Sequence, residues 1–181
     1  EQNFRHSLRE VVQHCIYGVD LNPLAVELCK TALWIEALEP GKPLGFLDAH
    51  ILCGNALVGV FDPAVLDDGI PDGAFKPLTG DDKTIAGDAK KRNKVASKKL
   101  AVSLRMPTSM AQRVEAMPED TVNQVAEKRA AWVVAQSSEE VQKARLLEDL
   151  YTDAFFVPKN EENKDCIPTN AELIAAHQGQ V

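Results

Sequence analysis

Cys15-Ile16-Tyr17-Gly18-Val19-Asp20-Leu21-Asn22-Pro23 decides the fold class. Its first seven residues form a short apolar and β-branched run, the pattern of a buried strand. Asn22 can cap a helix, and Pro23 suits the first helical position, where an N–H has no intrahelical partner to lose. The predicted helix carries Leu24, Leu28, Ala32, Ile35 and, at its margin, Leu38 on one stripe, and Glu39-Pro40-Gly41 stops it. A loop leads to a second strand-like run, His50-Ile51-Leu52-Cys53, closed by Gly54-Asn55. Strand, capped helix, loop, strand is a βαβ unit, whose right-handed crossover makes the strands parallel neighbours. Upstream, Phe4 to His14 reads as a helix with Phe4, Leu8, Val11 and Val12 along one side.

Texture changes after residue 62. Pro63, Gly69, Pro71, Gly73, Pro77 and Gly80 mark 63–80 as a punctuated connector. Residues 81–157 read as a helical insert: Pro118-Glu119-Asp120 opens a helix with Val122, Val125, Ala126 and Val133 periodic along it. Ser137-Ser138-Glu139-Glu140 has capping-box spacing before another helix, with Ala144, Leu147, Tyr151 and Ala154 on one face. Residues 158–181 read as a polar tail.

The whole chain has 181 residues, with 20 Lys+Arg against 27 Asp+Glu and a formal net charge of -7. With 45% hydrophobic and 26% charged residues it is an ordinary globular mixture, which excludes collagen, a disulfide scaffold and wholesale disorder. A uniformly basic nucleic-acid wrapper is excluded too, because counterion release needs clustered cations. No run approaches the roughly 18 apolar residues of a membrane span, and the first residues lack a secretory leader's pattern. The chain is expected to be soluble and cytoplasmic, and it starts as an excised piece would. Cys15, Cys29, Cys53 and Cys166 form no CxxC pair, and three sit in apolar runs where a thiol acts as a small hydrophobe. No metal site is expected.

Two short stretches carry candidate chemistry. An acidic side chain ending the second strand of a doubly wound fold points into the ligand crevice, where Asp20 could accept bonds from both ribose hydroxyls of a nucleoside. Leu21 would offer apolar surface to an adenine ring. Asn55, at the end of the neighbouring strand, offers a donor and an acceptor in one plane, matching an adenine edge. Each also has a plainer reading: Asp20 as a cap residue and Gly54-Asn55 as a turn. A third stretch, Lys90, Lys91, Arg92, Lys94, Lys98 and Lys99, has six cations and no acid. It reads either as a phosphate-contacting helix or as a solvated face, with no aromatic residue interleaved for base stacking. Trp34 falls towards its helix's polar margin, suited to covering another segment of a longer protein; Trp132 suits the packing of the helical region.

Taken together, Ile16 to Leu28, Leu33-Trp34 through Glu39-Pro40-Gly41-Lys42-Pro43-Leu44, and Cys53-Gly54-Asn55-Ala56-Leu57-Val58-Gly59 resemble a particular family. It is that of the large bacterial adenine-N6 DNA methyltransferases of type IIG restriction-modification and related phage-defence systems. The resemblance continues through Gly69 to Pro77 and Gly80 to Lys83 and fades in the later helices. It implies a partial Rossmann-like methyltransferase βαβ unit in residues 1–62, followed by the mostly α-helical insert. It implies that Asp20 binds the ribose of S-adenosylmethionine beside Leu21, that Asn55 meets the adenine edge, and that Ala56 follows where the family packs a side chain on the ring.

The family's glycine-rich loop and its Asn-Pro-Pro-aromatic motif have no match in these residues, so no catalytic residue is expected here. Asn22-Pro23-Leu24 starts a helix, and no aromatic residue follows it. The expectation is therefore an internal portion of a longer enzyme, inactive alone, partnered by the remainder of that protein and, through it, by DNA. Strands deprived of neighbours would favour self-association. The alternative is a non-catalytic helical module binding DNA or protein through residues 81–157. A nicotinamide-dinucleotide enzyme, which also uses an acid after the second strand, is a weaker reading.

Overall fold

The computed structural model describes residues 2–98, 104 and 109–180. The chain is mixed α/β and mostly helical, and its contacts group into two compact units that interleave in sequence. The first unit comprises Glu1–Leu57 with Thr108–Ser138, and the second Val58–Pro107 with Glu139–Val181. The contacts thus cut across the linear segments at 62, 80 and 157 that composition suggested.

The first unit contains α1 (Gln2–Cys15), β1 (Gly18–Asp20), α2 (Pro23–Glu36), β2 (Ile51–Cys53), α5 (Ser109–Glu115) and α6 (Val122–Gln136). The expected βαβ unit is present. β1 and β2 pair in parallel, with Gly18, Val19 and Asp20 opposite Ile51, Leu52 and Cys53. Asn22 caps α2 by accepting from Leu24 N at 3.0 Å, and Pro23 stands in the first turn. Three expectations need correction. The first strand is three residues long and largely exposed, because one parallel partner buries little of it. Cα–Cβ directions alternate along a strand, so Ile51 enters the core while the opposite face leaves Val19 and Leu52 nearly half exposed. The leucine stripe of α2 faces outward: Leu24, Leu28, Ile35 and Leu38 are exposed, whereas Val26 and Ala37 are buried with Val12, Leu47 and Ile51. The expected stripe of α1 is likewise mostly open, with Phe4 and Val11 exposed and Val12 buried beside Arg9 and Gln13.

The reason lies in the opposite helix faces, which carry polar groups that find buried partners. Trp34 packs on this core and donates through Nε1 to Gly45 O at 2.8 Å, so it covers a segment of its own chain. Lys30 Nζ reaches Asp48 at 2.7 Å and Glu27 at 3.0 Å. Glu119 is the hub that fastens the later helices to the earlier ones. Its carboxylate accepts from Lys128 Nζ at 2.6 Å, Gln13 Nε2 at 2.8 Å and Phe46 N at 2.7 Å. A capping box formed by Thr121 and Gln124 opens α6, and Trp132 on that helix meets Phe46 edge-on at 6.3 Å. Trp132 therefore packs against the βαβ portion, and Val122 and Val133 on the expected stripe of α6 are exposed.

The second unit contains α3 (Val65–Asp68), a 3-10 turn (Asp72–Phe75), α4 (Lys83–Ser97), α7 (Glu139–Phe156) and α8 (Asn170–His177). Its core gathers Leu66, Ile70, Phe75, Leu104, Leu147, Ala154, Ile167 and Leu173. The expected α7 face is found, with Leu147 and Ala154 fully buried and Tyr151 packed against them. The connector and the polar tail need correction, since both supply core residues. Asn170 ties them together: its Oδ1 accepts from Ile70 N at 2.7 Å, while Asn93 Nδ2 donates to Ile70 O at 2.8 Å and Asn93 Oδ1 accepts from Asn170 N. Gly69, at φ +69, leaves the space Asn170 occupies; a Cβ there would stand 2.6 Å from Asn170 Oδ1.

All four cysteines are exposed, which corrects the reading of three of them as small hydrophobes within apolar runs. Among the described residues no helix is long and apolar enough to cross a membrane, and no cluster of three His, Cys, Asp or Glu could hold a metal.

Candidate functional site

The sequence candidates converge at the carboxyl ends of the two strands. Asp20 ends β1 opposite Cys53, which ends β2, and Gly54 N donates to Asp20 O at 2.9 Å. That bond joins the loop carrying Leu21 to the loop carrying Asn55 and Ala56. It is the ladder bond that a parallel register of Asp20 opposite Cys53 requires, carried one residue beyond β2.

Each loop is shaped by a side chain turning back on its own backbone. Asp20 Oδ1 accepts from Asn22 N at 2.7 Å, and Asn55 Oδ1 accepts from Leu57 N at 3.0 Å. The turn reading of Asn55 is therefore realised, whereas Asp20 ends its strand in a turn and leaves the capping of α2 to Asn22. One bond each shapes these two side chains, and it does not exhaust either of them. A carboxylate has two oxygens and about four lone-pair positions, and an amide keeps two N–H donors when its oxygen is engaged. Asp20, Leu21, Asn55 and Ala56 are all exposed to solvent, so these polar groups face outward at the sheet's end. Leu57, almost fully exposed, adds apolar surface beside Asn55. The donor set suits a nucleoside: acceptors for ribose hydroxyls on one loop, amide donors for a ring nitrogen on the other, and Leu21 between solvent and strand.

The basic stretch lies on α4 and just beyond it, within the second unit. Lys90 and Lys94 both reach Asp72 Oδ2 at 3.3 Å; desolvation pushes that carboxyl's pKa up, and the two ammonium groups together outweigh it and hold the pKa below its usual value. Lys91 pairs with Asp88 at 3.0 Å and Arg92 donates to Lys164 O at 3.0 Å. Lys98 is exposed. Lys99 lies outside the described residues. Exposed pairs of this kind are worth little and exchange readily with other anions.

No family model matches the chain, and no solved structure matches it. One curated protein is similar over a short stretch: 36% identical over 61 residues, covering 29% of this chain and 5% of that protein. It comes from Methanocaldococcus jannaschii and is named "Putative type II restriction enzyme and methyltransferase". The chain thus has a partial likeness to a restriction-modification methyltransferase, over a small part of that protein's length.

Proposed function

We propose that this chain carries the nucleoside half of the S-adenosylmethionine site in an adenine-N6 DNA methyltransferase of restriction-modification or related defence type. The observation that carries the reading is the parallel β1–β2 pair, which ends Asp20 and Cys53 in register and ties their following loops through Gly54. Asp20 receives the ribose hydroxyls, Asn55 meets the adenine edge, and Leu21 and Ala56 flank the ring. The partial likeness to a curated methyltransferase supports the same class.

S-adenosylmethionine, when bound, supplies an activated methyl on a sulfonium that is already a good leaving group. What these residues contribute is therefore position: they fix the nucleoside end so that the methyl faces a base extruded from the duplex. The chain transfers no methyl group by itself, because the methionine-side loop and the motif that receives the target amine must come from the rest of a longer protein. DNA is that protein's substrate. Within this chain the cations on α4 and just beyond it, Lys90, Lys91, Arg92, Lys94 and Lys98, are the ones that would contact phosphate, exchanging their exposed partners for it.

The test is cofactor titration by calorimetry on the protein that carries this chain. Asp20→Ala removes a charge-assisted acceptor and weakens binding by about 1.5–3 kcal/mol. Unchanged affinity refutes the assignment.

A further inference from the structure

The turn after β2 sets the polarity that the Asn55 side chain shows to a ligand. Asn55 Oδ1 accepts from Leu57 N at 3.0 Å. Only the oxygen end of an amide can receive an N–H donor, so this bond settles which end is which. Oxygen and nitrogen diverge from the same carbon. Turning the oxygen back onto the loop therefore turns the NH2 group away from it. Asn55 is exposed, and what it presents outward is two N–H donors.

The loop that carries this amide is fastened. Gly54 N donates to Asp20 O at 2.9 Å, and Cys53 Sγ donates to Leu21 O at 3.7 Å. The two residues before Asn55 are thus tied to the loop that carries the ribose acceptor. Flipping the amide about its last bond would set N–H against N–H at Leu57 and lose the turn's hydrogen bond.

Each adenine edge that includes the exocyclic amine pairs that donor with an acceptor, ring N1 on one side or ring N7 on the other. A side chain showing both polarities would read the pair; one showing donors reads the ring nitrogen alone. We propose, on the nucleoside reading of the site given above, that Asn55 recognises the base through ring N1 or N7 and does not read the exocyclic amine. The ligand class is then a purine nucleoside with an acceptor nitrogen on that edge, with or without the 6-amino group.

The experiment measures dissociation constants by calorimetry on the protein that carries this chain. The ligands are S-adenosylhomocysteine and three analogues, one lacking the 6-amino group and two with ring N1 or ring N7 replaced by C–H. Removing the amine changes affinity by less than about twofold, whereas one ring replacement weakens binding about tenfold, as for one lost hydrogen bond. Asn55→Asp keeps an oxygen for Leu57 N but turns an acceptor outward. In that variant the ring-nitrogen preference disappears and the amine becomes the group whose removal weakens binding, a reversal that general damage to the fold would not produce. Should the variant fail to fold, the four ligands on the unaltered protein decide alone. The proposal is overturned if removing the amine weakens binding to the unaltered protein about tenfold, if neither ring replacement matters, or if Asn55→Asp keeps the ring-nitrogen preference. Failure of the underlying reading looks different: S-adenosylhomocysteine then does not bind, or binds Asp20→Ala as tightly, and the proposal falls with it.

Discussion

Glu119→Ala removes the joint on which the first unit depends. The Glu119 carboxylate and Lys128 ammonium are both over nine-tenths buried and meet at 2.6 Å. Truncating the acid strands that ammonium with two backbone carbonyls, Glu115 O and Met117 O, and leaves Phe46 N and Gln13 Nε2 without the oxygen they share. Removing one partner of a buried ion pair costs about 3–5 kcal/mol, since the remaining charge stays desolvated. The double variant Glu119→Leu with Lys128→Met removes both charges together and loses less, about 1–3 kcal/mol, chiefly for the orphaned Phe46 amide. The assay is urea denaturation followed by tryptophan emission. It reports on this unit because the chain's two tryptophans, Trp34 and Trp132, both lie within it. A loss below about 1 kcal/mol for Glu119→Ala, or a double variant no better than the single one, refutes the hub as the fastening of α6.

Acid should weaken the same unit through His50, whose folded pKa lies below 6.5 because it is buried. Below pH 6.5 the unfolded chain takes up a proton that the folded one resists. Stability is therefore full above that pH and falls as the pH drops towards the folded value. His50→Phe flattens this part of the profile of urea midpoint against pH between about 7 and 5; an unchanged slope contradicts it. In the second unit, Asn170→Ala costs about 2–3 kcal/mol by leaving the Ile70 amide unpaired. Faster hydrogen exchange at Ile70 N–H reports it, and an unaltered rate denies it. Gly69→Ala, strained at φ +69 and pressed on Asn170, accelerates the same exchange.

The βαβ unit was legible because its signals are local: Asn22-Pro23 sets a helix start, and two apolar runs of strand length flank it. Burial was not legible from the same signals. The leucine period of α2 names an apolar face but not which neighbours meet it, and the core took Val26, Trp34 and Ala37 instead. The face opposite the leucines wins because Lys30 and the Trp34 indole find partners 11 to 18 residues on, a non-local fact. The late core was missed because Ile167, Leu173 and Ala176 are sparse among polar residues. Thr169-Asn170-Ala171-Glu172 could have found it, since Thr and Glu three apart form the capping box that opens α8. At the strand ends, residue type, position and the Asn55 turn were readable, whereas the strand register, and with it the Gly54–Asp20 bond, emerges only in three dimensions.

The most direct measurement of the central claim is photo-crosslinking of an azidoadenine analogue of S-adenosylmethionine to the protein that carries this chain, with peptide mapping of the label. Attachment at Asp20–Leu21 or Gly54–Leu57, competed away by S-adenosylmethionine and reduced by Asp20→Ala, is the result predicted. Label mapping wholly elsewhere, at an intensity indifferent to Asp20→Ala, would contradict a nucleoside site at the ends of β1 and β2.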